Sequence, residues 1–113
     1  IKHFMYAGLG LSTTLLGTPI VAIGGASTSR DLRVRGKIWA RGLGYALYGG
    51  AGHENLADIA GQAEAGAIAF KTFLQPPPPT RLDEFFGLWC TDEVLLRDVM
   101  RAVKGTGLRH CFH

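Results

Sequence analysis

Charge is scarce in this sequence. Only 19% of its 113 residues are charged against 47% apolar, and the mean hydropathy is +0.14. That much apolar side chain can build a core, but the balance is high for a free-standing soluble domain. Some of this surface is therefore expected to be covered by chain outside these residues. Ile1 stands where a starting Met would be, and an apolar run stops at His113 without a turn, so residues 1–113 read as an internal fragment truncated at both ends. Cysteine is scarce as well, and Cys90 and Cys111 stand too far apart for a C-x-x-C metal or redox motif. Long hydrophobic runs are missing. The stretch 9–23 is broken by Gly10, Gly17 and Pro19 and falls short of the roughly 20 residues a membrane span needs. No basic segment followed by an apolar core and a cleavage site marks secretion. The cytoplasm is the expected compartment, with no membrane partner. Arg30, Arg33, Arg35, Lys37 and Arg41 form the densest basic stretch. It lacks the interleaved aromatics of a nucleic-acid surface, so it reads as a solvated helix face and no nucleic acid is expected.

What is present is alternation. Strand-like apolar runs recur at residues 11–16, 43–48, 67–73 and 108–113. Helical patterns lie between them. Residues 55–65 place Leu56, Ile59, Ala60 and Ala63 on one face, with Gly66 as a stop. Residues 92–104 place Leu95, Leu96, Val99 and Val103 on one face, with Thr91 as the cap and Gly105 as the end. Residues 30–40 form a weaker helix interrupted by Gly36. Strands alternating with helices predict βαβ units, a parallel sheet in sequential order and right-handed crossovers. About four strands and three helical crossovers amount to roughly half of an eight-stranded (β/α)8 TIM barrel. Residues 75–89 form a long loop after the third strand, on the side where parallel sheets place their chemistry. It opens on Pro76, Pro77, Pro78 and Pro79, which cannot pair in a sheet. Its aromatics Phe85, Phe86 and Trp89 are expected to fasten the loop to the sheet, with walling of a substrate pocket as the second reading.

Lys71 is the most informative residue. It lies in the otherwise uncharged strand Ala67-Ile68-Ala69-Phe70-Lys71-Thr72-Phe73, a costly place for an ammonium group. Alternation puts it on the face of Ala67 and Ala69, which leaves room for a long side chain. Burial would free the amine as a nucleophile, able to take up carbon dioxide as a carbamate. Composition by itself favours a lysine that reaches solvent from the strand end. His113 shares a face with Cys111, while His110 points the other way. An imidazole at the C-terminal end of a barrel strand is a common zinc ligand. Gly49-Gly50-Ala51-Gly52 follows a strand, but it matches neither G-x-G-x-x-G nor the P-loop pattern and reads as a tight turn. A nucleotide-binding α/β domain built on it is the alternative from a different class.

Three segments resemble the cyclic amidohydrolases, the family of allantoinases, dihydroorotases and hydantoinases. Tyr45-Ala-Leu-Tyr-Gly-Gly-Ala-Gly-His-Glu-Asn-Leu56 looks like the third strand, its loop and the following helix start. Glu64-Ala-Gly-Ala-Ile-Ala-Phe-Lys-Thr-Phe-Leu74 looks like the strand bearing a carboxylated lysine. Gly107-Leu-Arg-His-Cys-Phe-His113 looks like the strand ending in a metal-binding histidine. Upstream, residues 7–19 are similar more loosely, through Thr13 and Thr14. The resemblance implies a catalytic barrel of the metal-dependent hydrolase type with two divalent metals, usually zinc. Carboxylated Lys71 would bridge them, carbon dioxide would supply its carboxylate, and His113 would bind one of them. It implies a small cyclic amide or ureide as substrate, and homo-oligomers of the full-length protein. The family's His-x-His pair would precede Ile1, so His3 is no substitute for it. A later histidine and the aspartate base would follow His113, so the isolated segment is expected to be inactive. Gln75 and Pro76 stand where hydantoinases tend to carry a tyrosine, which favours the allantoinase- and dihydroorotase-like members. The competing expectation within the same fold is a metal-free, non-catalytic scaffold.

Overall fold

The computed structural model describes residues 9–13, 19–39 and 44–113, and the side chains of residues 26–34 and 46–113. His3 and residues 14–16 lie outside the described residues. The elements are β1 (Leu9–Thr13), β2 (Pro19–Ala26), α1 (Ser29–Trp39), β3 (Gly44–Gly50), α2 (Ile59–Glu64), β4 (Ala67–Thr72), α3 (Glu93–Thr106) and β5 (Arg109–Phe112), with short 3-10 turns at Leu56–Asp58, Pro79–Arg81 and Asp83–Phe85. The strands form one open sheet in the order β1-β2-β3-β4-β5. β3, β4 and β5 are parallel, and β2 joins β3 in the same sense.

Two corrections follow. The run Pro19–Ala26 is a fifth strand that the count of four missed. Its Pro19 and glycines look like breaks, yet Pro19 stands at the strand's first residue, where proline is tolerated. β1 then pairs with β2 antiparallel, so the sheet is not parallel throughout. A short connection can turn a chain back on itself, whereas a parallel pair needs a crossover of a dozen or more residues.

α1, α2 and α3 lie side by side, with α2 touching both others. They cover one face of the sheet. Leu32, Ile59, Val99 and Val103 reach from them to Leu47, Ala67 and Phe70, and all are buried. Burial of each large side chain is worth about 1.5–3 kcal/mol. Ala60, expected on the core face of α2, is exposed, and Gln62 is buried instead. The 3-10 turn at Leu56–Asp58 rotates the helix face from what a continuous 3.6-residue period gives. The cap of α3 is Asp92 rather than Thr91: its carboxylate accepts from the amides of Val94 and Leu95, both at 2.9 Å. The helix continues through Gly105 and ends at Gly107, whose φ of 73° is the left-handed conformation of a C-terminal glycine. The residue 30–40 helix is present as α1, with Gly36 inside it.

Candidate functional site at the C-terminal edge of the sheet

Phe70 and Thr72 face the helices, so their neighbour Lys71 faces away from them. In parallel pairing Lys71 is opposite Cys111, and Phe70 is opposite His110. Two facts carry the register past the named strands: the amide of His113 donates to Thr72 O (3.0 Å), and that of Leu74 donates to His113 O (2.8 Å). Lys71, Phe73, Cys111 and His113 therefore share the face that no helix covers among the described residues. Their contacts agree. Lys71 Nζ stands 5.3 Å from the centre of the Phe73 ring, and the His113 ring centre is 5.0 Å from that of Phe73. Lys71 is half-buried and His113 exposed. Ala69 shares this face, opposite Arg109. Ala67 instead joins the core cluster with Phe70, because the β3–β4 register shifts between Leu47 and Tyr48 and strict alternation fails there.

His110 points to the helix side. The Thr72 hydroxyl donates to Ala51 O at 2.5 Å, so its lone pair accepts from His110 Nε2 at 2.7 Å, which places the ring proton on Nε2. Burial pushes the imidazole below its ordinary value of 6.5, since a charged ring loses solvation there. Burial likewise raises the Cys90 thiol, which is fully enclosed.

The loop after β4 returns to the sheet edge. β3 leaves β4 after the Ala51 amide donates to Lys71 O (2.9 Å). Residues 88–90 then take its place: Phe73 N donates to Leu88 O (2.7 Å) and Cys90 N to Phe73 O (3.0 Å). Trp89 is bridged in parallel to Phe73, so its indole lies on the Lys71 side. There it meets His53 edge-on, with ring centres 5.0 Å apart. Phe85 packs edge-on against Phe73 at 5.2 Å. These contacts fasten the loop, and Trp89 brings a second aromatic plane to the face carrying Lys71.

The glycine run serves packing rather than a phosphate. A Cβ on Gly49 would stand 2.6 Å from the Phe70 ring, and one on Gly50 would stand 2.8 Å from Gly87 O. The Gly52 amide is taken by Asn55 Oδ1 at 2.9 Å, and Gly50 O accepts from both Asn55 and Gln62. With its amides turned inward to protein acceptors, the loop offers no anion cradle.

The residues implied as metal ligands fit in chemistry but not in number. Lys71 has no carboxylate within ion-pair range among the described residues, and its amine and the His113 imidazole stand on one accessible face. No three His, Cys, Asp or Glu side chains converge to hold a metal among the described residues. Sequence reasoning gave His53 no role, and gave Trp89 fastening of the loop first and walling of a pocket second. The one available signal was the position of His53 directly after the strand-ending glycines. Among the described residues no helix is long and apolar enough to cross a membrane. No family model, curated protein or solved structure matches this chain.

Proposed function

We propose that this chain is a sector of a metal-dependent cyclic amidohydrolase barrel that opens a ring amide C–N bond, of the allantoinase or dihydroorotase kind. The observation that carries it is the meeting of Lys71 and His113 on one face of the sheet's C-terminal edge, both against Phe73. The parallel strands β2 to β5 support the same reading, while the antiparallel β1 stands outside it. Sequential order with helices on one face is the layout of an unrolled barrel, whereas doubly wound sheets reverse their order and carry helices on both faces. Lys71 as a carbamate would bridge two divalent ions, zinc in the family, and His113 would bind one of them. Bound there, the pair would supply a hydroxide near neutral pH and polarise the ring carbonyl. Lys71 itself contributes an amine unpaired with any acid among the described residues, which in its deprotonated form would add to carbon dioxide and release a proton to solvent. Phe73 holds the lysine chain and the imidazole in place. Trp89 offers a flat wall to a flat ring. The remaining ligands and the aspartate base belong to other parts of the full-length protein, a homo-oligomer in this reading.

In the full-length protein Lys71→Ala removes the bound metals and the turnover of ring amides. Acetate or propionate, entering the space the lysine leaves, restores part of both. His113→Asn weakens metal binding and costs on the order of several kcal/mol of transition-state stabilisation. Metal content measured beside the rate decides the matter. Two metals per site and a normal rate in Lys71→Ala would sink the proposal. A parent protein without bound metal or ring-amide turnover would establish the scaffold reading instead.

A further inference from the structure

We infer that His53 is a specificity-determining residue, which hydrogen-bonds the ring-amide substrate while Trp89 holds its imidazole at the rim of the site. The inference rests on the ring-amide reading and extends it to a residue nothing else assigns. His53 is half-exposed, and its Nε2 lies 4.0 Å from Glu54 Oε1, too far for a hydrogen bond. Its ring packs T-shaped with the Trp89 ring, centres 5.0 Å apart. Trp89 shares its face with Phe73, whose ring touches both Lys71 and His113. The imidazole therefore stands on the same side of the sheet edge as the two proposed ligands.

The backbone beneath His53 is built rigidly. Glu54 accepts from the Gly87 amide at 3.0 Å. Asn55 is buried and donates to Ser27 O and Gly50 O, both at 2.8 Å. A Cβ on Gly52 would stand 2.8 Å from Trp89 O, and one on Gly87 would stand 2.6 Å from Asn55 Nδ2. Gly52 is thus pressed against the backbone of Gly87 and Trp89, and Gly87 against the Asn55 side chain. This packing presents one imidazole whose nitrogens take no hydrogen bond from the protein among the described residues. Such a ring carries one donor and one acceptor when neutral, which suits the N–H and C=O of a cyclic amide or ureide. Groups held in place before the ligand arrives lose less freedom on binding. Discrimination by a site built to hydrogen-bond its substrate exceeds what apolar walls achieve.

The test uses the full-length, metal-loaded protein with hydantoin, allantoin and dihydroorotate as probes. His53→Phe keeps an aromatic ring against Trp89 but removes both nitrogens. His53→Gln keeps a donor and an acceptor. The expected result for the probe turned over best is a KM raised about tenfold or more in His53→Phe, with kcat within a few-fold and metal content unchanged. His53→Gln recovers part of the KM. An unchanged KM in His53→Phe overturns the inference, because packing alone would then suffice. An equal KM increase in both variants also overturns it. Loss of metal and rate in Lys71→Ala, measured in parallel, keeps the enzyme reading standing in either case. If no probe is turned over, the enzyme reading fails and this inference falls with it.

Discussion

Phe70 and Lys71 are neighbours on β4 with opposite surroundings: one lies in the core, the other on the face that no described helix covers. Phe70 is fully buried among Leu47, Ile59, Val99 and Val103. Lys71 is half-buried on the face of Phe73, Cys111 and His113, with no helix over it among the described residues. The same division runs along β5, where His110 turns to the helices and His113 turns away. A strand's two-residue period lets one segment serve stability and chemistry at once. Damage to the two faces should therefore read out differently, in folding on one side and in metal and rate on the other.

The largest expected effect tests the closed face. Phe70→Ala should cost about 3–5 kcal/mol of stability, the usual loss for an aromatic in a packed core. Lys71→Ala should cost less than about 1 kcal/mol, as substitutions outside the packed core do. Urea denaturation of both variants measures the contrast, and equal losses would break the division of faces. Next comes Thr72, again on the closed side. Thr72→Val keeps the shape but strands Ala51 O and His110 Nε2, at a cost of about 1–3 kcal/mol for unsatisfied buried groups. A neutral result in thermal denaturation would mean that the Thr72 bridge does not hold the three strand ends together.

The smallest effect concerns pH. Burial lowers the folded pKa of His110 below its ordinary 6.5. As pH falls below about 6.5, the unfolded imidazole takes up a proton first, so stability is lost through that window down to the folded value. Above it both states are neutral and His110 contributes no slope. The denaturation midpoint should thus fall between pH 7.5 and pH 5.5, and His110→Gln should flatten part of that fall. An unchanged slope in His110→Gln would show that this ring is not held neutral by the helix side.

Much of this was legible from the residues. Lys71 stood out because an ammonium is costly in an apolar strand, and the i, i+2 spacing of Cys111 and His113 made their shared face a matter of arithmetic. The helices between strands followed from their apolar period. Pro19–Ala26 escaped because a continuous apolar run with glycines can be read as strand or as interruption. The sheet edge was least legible. Nothing local says that residues 88–90 replace β3 beside β4, since that pairing joins positions far apart in sequence.

By itself, then, the sequence determined the alternation of helix and strand after β2, the core positions Ile59, Val99 and Val103, though not Ala60 or Leu95, which are exposed, and the side of each strand on which Lys71 and His113 stand. These are periodicities, and the backbone imposes them wherever the strand forms. Only the tertiary structure decided the antiparallel turn of β1, the meeting of Lys71 and His113 at Phe73, and the seating of His53 on Trp89. Those depend on register and on loop closure. A one-residue slip in pairing would turn every side chain of a strand to the other face, and it is packing between distant segments that forbids the slip.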